Sequence, residues 1–96
     1  MELVFEWDPH KERTNRQKHG ISFSEAASVF RNPLARIFAD QDHSFGERRE
    51  IIVGHSQAKR LLLVSFVEPE EGWVRIINAR RATKKEHVDY EDNTAP

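Results

Sequence analysis

Hydrophobic positions along the chain alternate in some segments with the two-residue repeat of strands and recur elsewhere with the 3.6-residue repeat of helices. The first apolar run, Leu3–Trp7, is interrupted only by Glu6 and predicts a strand. Leu61–Val64 is apolar at every position, which predicts a central strand with both faces buried. In all, four strands are predicted after the first, at 34–39, 48–54, 60–67 and 73–79.

Residues 10–19 have the ends of a helix without its usual apolar stripe. Asp8 and Pro9 are typical of the N-cap and the first helical position, and Gly20 is typical of the residue just past a helix end. The interior holds no strongly apolar residue, so burial alone does not stabilise a helix here. Such a mismatch between local pattern and fold indicates a functional segment.

The next helix has a conventional pattern. Ser22 and Glu25 form a capping box at its start, and Asn32–Pro33 ends it. Its apolar positions follow helical spacing and are assigned to the core: Phe23, Ala26, Ala27 and Phe30.

A second capping box, Thr83 with Glu86, predicts a last helix that starts at Lys84 and runs to Glu91. Residues 92–96 are expected to be frayed. The order of elements is therefore β-α-α-β-β-β-β-α. Because strands joined by short connections are usually neighbours, the last four strands should form an antiparallel meander.

Ninety-six residues support one domain with one modest core. We predict a single α+β domain over residues 1–96, with a mainly antiparallel sheet and helices packed on one of its faces. No stretch approaches the ~20 apolar residues of a membrane span, and the first residues lack the pattern of a secretory signal. These features lead us to expect a cytoplasmic protein.

The net charge of −1 hides a strongly uneven distribution. Segment 10–20 has a net charge of +3, and segment 73–85 has five cations and no acid. Segment 86–96 has four acids and no lysine or arginine. The two basic segments are candidates for binding a polyanion.

The most basic point is the junction of the last strand and the last helix, at Arg80 and Arg81. Backbone N–H groups at a helix start favour an anion, and arginine forks onto phosphate oxygens. Successive strand residues point to opposite faces, so both arginines reach one site only if the strand ends before them. The capping box at Thr83 predicts such an end. The alternatives are a solvated basic corner, or pairing of one arginine with Glu47 or Glu86 as scaffold.

Three side chains are candidates for proton transfer. His19 is a candidate because histidine as a residue type exchanges protons near neutral pH, although a histidine also suits the C-terminal end of a helix dipole. His43 follows Asp42, whose carboxylate could orient its ring, or it is simply solvated. Glu47 and Arg49 are two apart and share a face of the predicted strand. They are an acid–base carboxylate with a phosphate-binding arginine, or a cross-strand ion pair.

Polar residues beside these candidates are expected to contact a nucleic acid. Lys18 closes the polar helix, with Asn15 about one turn earlier, and Lys84 and Lys85 begin the last helix.

No metal or other cofactor is expected, because cysteine is absent and the five histidines lack ligand spacing. Trp7 and Trp73 are assigned to the core or an interface, with base stacking as the weaker alternative.

Residues along nearly the whole chain, in order, resemble the BrnT toxin family. They are Phe5-Glu6-Trp7-Asp8-Pro9, Asn15, Lys18-His19-Gly20, Phe23, Glu25-Ala26, Asp42-His43-Ser44, Glu47, Arg49, Gly54, Arg75-Ile76-Ile77, Ala79-Arg80, Lys85-Glu86 and Tyr90. The chain departs from the family pattern at Glu12, where a small apolar residue is usual, and at Asn78, where serine is common.

The resemblance implies a bacterial type II toxin with ribonuclease activity and a RelE-like fold. It also implies a BrnA-like antitoxin with a ribbon-helix-helix DNA-binding domain, through which promoter DNA is bound. Our functional hypothesis is metal-independent RNA cleavage by the ribose 2′-OH, which arrests translation and growth. Arg80, Arg81 and Arg49 would stabilise phosphate charge, and Glu47, His43 or His19 would transfer protons.

Other classes of function stay open at this point. The chain could be a non-catalytic module that binds RNA or acts as co-repressor with a DNA-binding partner. It could also be a metal-dependent nuclease, or a nuclease that acts only on the ribosome. Cleavage of bulk RNA by the pure protein in EDTA would distinguish these classes.

Overall fold

The computed structural model describes residues 2–94, which form three helices and one five-stranded sheet of order β1-β5-β4-β3-β2. Strands β2 to β5 form the predicted antiparallel meander, and β1 adds to β5 in parallel. The α+β class is therefore confirmed. In chain order the elements are β1 Val4–Glu6, α1 Pro9–His19, α2 Phe23–Ser28, a 3₁₀ turn Val29–Arg31, β2 Arg36–Ala39, a 3₁₀ turn Gln41–His43, β3 Arg49–His55, β4 Leu61–Glu70, β5 Trp73–Arg81 and α3 Lys84–Thr94.

Helices flank both faces of the sheet, so the expectation that they share one face is wrong. On β4, Leu62 and Val64 belong to the main core beneath α2. Leu61 and Leu63 point the other way and pack with Tyr90 of α3. Leu61–Val64 is apolar throughout because a helix covers each side of this stretch. We call the side under α2 the covered face and the side bearing α3 the open face.

Helix α1 has its predicted ends. The Asp8 carboxylate accepts the His10 N–H at 2.8 Å, and Gly20 has a φ of 71° while its N–H bonds the Arg16 carbonyl at 2.9 Å. A positive φ is a conformation that glycine adopts without steric cost.

The polar helix α1 docks through one buried amide. Asn15 is 5% exposed, and its Nδ2 donates to the carbonyls of Ile21 and Ala79, each at 2.9 Å. Its Oδ1 accepts the Ala79 N–H at 3.1 Å. The Asn15 amide thus pairs with Ala79 of β5 as the peptide group of a neighbouring strand would. It does so at a part of β5 that the short strand β1 does not reach. This contact, rather than an apolar stripe, holds α1 in place.

Helix α2 supplies the core as predicted. Phe23 and Ala26 are fully buried, and Phe30 packs against them from the 3₁₀ turn that follows Ser28. The Ser22 hydroxyl accepts the Glu25 N–H at 3.1 Å.

Glu25 has a second role that its capping position does not indicate. It is 7% exposed, its carboxylate accepts the Ser56 hydroxyl at 2.7 Å, and it forms an ion pair with Arg60. The hydrogen bond from Arg60 holds the pKa of Glu25 below its usual value. This pair ties the β3–β4 turn to α2.

Several element ends differ from prediction. Strand β5 continues to Arg81, two residues past the predicted end, and α3 continues to Thr94. Of the segment expected to be frayed, residues 92–94 are helical, and 95 and 96 lie outside the described residues. No helix within residues 2–94 is long and apolar enough to cross a membrane.

Candidate nucleic-acid interface

The strand register arranges the open face in rows. Arg49 on β3 pairs with Val67 on β4, Val67 pairs with Arg75 on β5, and Arg75 pairs with Glu6 on β1. Directly paired residues point to the same side of a sheet. The first row therefore carries two arginines, and the Arg75 Nε donates to Glu6 Oε2 at 2.9 Å.

The third arginine, Arg80, lies two rows further along the same face. Ser65 pairs with Asn78 in the second row, and Leu63 pairs with Arg80 in the third. Arg49, Arg75 and Arg80 thus surround Ser65 and Asn78 on one side of the sheet.

A β-bulge makes this grouping possible. Ser65 pairs with Asn78 while its neighbour Phe66 pairs with Ile76, so Ile77 is an extra residue on β5. Residues five apart on a regular strand face opposite sides, and one inserted residue reverses that relation. The bulge therefore puts Arg75 and Arg80 on the same face.

Arg80 is held by a forked ion pair with Glu86. Its Nη1 and Nη2 donate to Oε1 and Oε2 of Glu86, each at 2.8 Å, and its side chain is 40% exposed. Glu86 also accepts the Thr83 N–H at 2.8 Å, while the Thr83 hydroxyl accepts the Glu86 N–H at 3.2 Å. The predicted capping box is therefore confirmed, and the predicted scaffold partner of Arg80 is Glu86.

Electrostatics reinforce this pair. The hydrogen bond from Arg80 lowers the pKa of the Glu86 carboxyl to about 2, and the same bond raises the pKa of Arg80. A third Arg80 N–H bonds the Arg81 carbonyl at 3.3 Å. A guanidinium has five donors, and two of the Arg80 N–H groups have no partner within residues 2–94. The ion pair with Glu86 fixes the position of the guanidinium.

Arg81 lies on the other side of the sheet. It pairs with Leu62, a residue of the covered face, and its charge contributes to lowering the pKa of Glu25. The expectation that Arg80 and Arg81 converge is therefore wrong. The physical reason is that β5 stays paired with β4 through Arg81, and alternation separates the two side chains.

His43 is oriented by a carboxylate, but by Asp40 rather than the expected Asp42. Its Nδ1 lies 3.1 Å from both Asp40 carboxylate oxygens. The Asp40 N–H bonds the Arg49 carbonyl at 2.8 Å, and the Ser44 hydroxyl accepts the Arg49 N–H at 3.1 Å. These bonds fold the loop onto the start of β3, close to Arg49.

Glu47 stays in this loop and makes no ion pair within residues 2–94. Because β3 begins only at Arg49, the expected shared strand face of Glu47 and Arg49 is not formed.

A groove of about 350 Å³ runs between α1 and the edge of β5. It brings Lys18 and His19 beside Asn78, which belongs to the open face between Arg75 and Arg80. The groove and the open face therefore meet at Asn78. Asn15 lies in the groove wall, but both its N–H groups bond backbone carbonyls, so its observed role is to dock α1.

Lys84 and Lys85 are exposed in the first turn of α3 and make no ion pair within the described part of the chain. They follow Arg80 and Arg81 at the same end of the sheet. Among residues 2–94 no three His, Asp or Glu side chains are placed to hold a metal ion.

The structure is thus a small α+β domain in which three partly exposed arginines lie on one side of the sheet. Comparison of the sequence with protein families specifies the class further. The model of the BrnT ribonuclease toxins of type II toxin–antitoxin systems matches residues 7–86. The chain therefore belongs to the BrnT toxin family.

A solved structure has the same fold. The 1.1 Å crystal structure of the Brucella abortus ribonuclease toxin BrnT matches with a TM-score of 0.63 and 22% identity, over 88% of this chain and 99% of that one. No curated protein matches the sequence significantly.

Proposed function

We propose that this chain is an endoribonuclease toxin that cleaves RNA without a metal ion, through attack of a ribose 2′-OH on the adjacent phosphate. The observation that supports the proposal is the placement of Arg49, Arg75 and Arg80, each partly exposed, on the open face of the sheet. Three guanidinium groups suit a chain of phosphates, because each stays charged and forks onto phosphate oxygens.

We place the scissile phosphate at Arg80. Cleavage forms a bond from the 2′-oxygen to phosphorus and breaks the bond to the 5′-oxygen, with extra negative charge on the phosphate oxygens in between. A donor fixed before the reaction stabilises that charge without reorganising, and such a donor contributes about 10²–10³-fold to the rate. Glu86 fixes Arg80 in this way while leaving N–H groups free.

Proton transfer is assigned first to His19. It shares the groove with Asn78, which lies two residues before Arg80 on the same face of β5. Histidine exchanges protons near neutral pH, so one imidazole can take the 2′-OH proton or protonate the 5′-oxygen. Lys18 of the same groove would contact the neighbouring phosphate.

A second set of candidates lies at the opposite corner of the open face. His43 Nδ1 lies 3.1 Å from Asp40 Oδ1, and the tautomer with its proton on Nδ1 donates to this carboxylate and leaves Nε2 for proton exchange. Glu47 and Arg49 are nearby in the chain. We assign Arg49 to binding the RNA backbone away from the scissile bond, with His43 and Glu47 beside it. Arg81, Lys84 and Lys85 would contact phosphates of the RNA where its backbone passes the end of the sheet.

A type II toxin has a protein antitoxin. For this chain we propose a BrnA-like antitoxin with a ribbon-helix-helix domain, which binds promoter DNA for the pair. Cleavage of cytoplasmic RNA would arrest translation and growth until the antitoxin covers the toxin. By mass action such a partner also stabilises the fold. The RelE-like relationship implied by the resemblance stays an expectation.

The test is cleavage of bulk RNA by the purified protein in EDTA. We expect full activity in EDTA, a loss of about 10²-fold or more in Arg80→Ala, and no loss in the exposed control Arg31→Ala. His19→Ala should lose about 10²-fold, and His43→Ala much less. Thermal unfolding of each variant verifies that the fold persists.

Each alternative function has its own result. Loss of cleavage in EDTA would support a metal-dependent nuclease, and full toxicity of Arg80→Ala would place the site elsewhere. RNA binding without cleavage would support the non-catalytic module, unless added ribosomes restored cleavage.

A further inference from the structure

Trp73 is an aromatic side chain that the core leaves exposed. It begins β5, pairs with Val4 and Glu70, and is 45% exposed. Its neighbour Val74 is buried in the main core, so Trp73 points to the open face, as does Arg75 two residues later. The other tryptophan, Trp7, instead packs edge-on against Phe23, with ring centroids 6.1 Å apart.

The surroundings of Trp73 combine a flat surface for a nucleobase with one cation, Arg75, for the adjoining phosphate. A pocket of about 300 Å³ is lined by Glu6, Pro69, Glu70, Trp73 and Arg75. The indole offers a flat apolar surface. Arg75 bonds Glu6 Oε2 at 2.9 Å and so offsets the charge of that carboxylate. The remaining carboxylate oxygens of Glu6 and Glu70 can accept hydrogen bonds from the N–H groups at a base edge.

Trp73 also lies in line with the arginines. Along β5 the open face presents Trp73, Arg75, Asn78 and Arg80 in succession, over a distance of about 20 Å. A sheet surface that combines an exposed aromatic ring with a line of cations is a common way of binding unpaired nucleotides.

We infer that Trp73 forms a base-stacking subsite for single-stranded RNA whose backbone follows β5 past Arg75 to Arg80. One unpaired base stacks on the indole, with its N–H edge toward Glu6 or Glu70. Bases inside a duplex are not available for stacking, so the substrate is single-stranded at this point. This inference rests on the proposed function and adds to it a second contact, remote from the scissile phosphate.

A protein partner is the competing occupant. Leu3 and Val4 are also exposed beside Trp73, at 38% and 45%, and an apolar cluster of this kind can belong to a protein interface. The hydrogen-bond acceptors and Arg75 in the pocket, with Arg80 further along β5, favour RNA.

The test uses the intrinsic fluorescence of Trp73. The variant Trp7→Phe leaves Trp73 as the only tryptophan, and the ligand is a short RNA made uncleavable by 2′-O-methyl groups. We expect quenching by the single strand and little quenching by its duplex. We expect Trp73→Ala to weaken binding of the single strand about 10-fold or more, and Trp73→Phe to retain most of it.

An abasic scan of the same RNA distinguishes stacking from a general loss of structure. One abasic position should weaken binding to the wild type as much as Trp73→Ala does, and should have little further effect in that variant. The absence of any such position would overturn the inference, as would a Trp73→Ala variant that loses antitoxin binding or changes mass in solution while binding RNA normally.

Failure of the inference is distinguishable from failure of the proposed function. Cleavage in EDTA without quenching of Trp73 would reject the subsite and keep the ribonuclease. Quenching by a single strand without cleavage would keep the subsite and reject catalysis.

Discussion

The two faces of the sheet are formed by the same strands but differ in composition and burial. On the covered face the β4 and β5 residues are apolar and almost fully buried beneath α2: Leu62, Val64, Phe66, Val74, Ile76 and Ala79. On the open face α3 covers one end, and the three arginines are partly exposed. The alternation of strand side chains thus places the residues that stabilise the fold on one face and those available to a ligand on the other. Substitutions on the covered face should therefore change stability, and substitutions of the open-face arginines should change RNA binding.

The largest effect is expected on the covered face. Phe23→Ala should destabilise the protein by about 3–5 kcal/mol, because Phe23 is fully buried and its removal leaves a cavity in the core. Denaturant unfolding measures the change. The matched control is Phe38→Ala on the open face, where the residue is 49% exposed, and it should cost less than ~1 kcal/mol. Equal losses in the two variants would contradict the contrast between the faces.

The next largest effect is expected for Asn15, the buried amide through which α1 bonds to β5. Asn15→Ala removes the partners of both the N–H and the carbonyl of Ala79, and it should cost about 2–3 kcal/mol. Gln17→Ala, on the exposed side of the same helix, should change stability by less than ~0.5 kcal/mol. Amide exchange at Ala79 should also accelerate in Asn15→Ala, and unchanged exchange would argue against the dock.

A smaller, pH-dependent effect is expected for the ion pair of Glu86 with Arg80. It should contribute about 1–2 kcal/mol to the free energy of unfolding after allowance for solvent screening. The folded pKa of Glu86 is about 2, below its usual 4.5, so its stabilising effect is complete above about pH 4.5 and is lost as pH falls through 2. Glu86→Gln should therefore be less stable than wild type at pH 7, with the difference closing between pH 4.5 and 2. Glu71→Gln, an exposed residue, should match wild type throughout.

The smallest effect on stability is expected for Arg49→Ala, whose guanidinium makes no ion pair among residues 2–94. The free energy of unfolding should change by less than ~0.5 kcal/mol. RNA binding should weaken, and its dependence on salt should fall by about one phosphate contact. A salt titration measures this, with Arg31→Ala as control, and an unchanged salt slope would remove Arg49 from the RNA path.

Much of the fold was predictable because the signals are local. The ends of α1 at Asp8 and Gly20, and the capping boxes before α2 and α3, depend on contacts within one or two turns. The side of the sheet on which α3 packs was predicted wrongly. A helix pattern indicates which residues face inward, but not which face of a sheet they meet.

The site was predicted less completely. Arg80 and Arg49 were identified as candidates for phosphate binding, and both lie on the open face. Arg75 was counted in a basic segment and in the family resemblance but was not proposed as a site residue. Arg81 was grouped with Arg80 although it faces the other way. No sequence signal indicates the extra residue at Ile77 that sets these orientations.

By itself the sequence determined the elements, their caps and their order, because those depend on residues a few positions apart. Only the tertiary structure decided that Asn15 pairs with Ala79, 64 residues away, and that the bulge aligns Arg75 with Arg80. Such contacts depend on strand register, and a shift of one residue reverses every side chain on a strand.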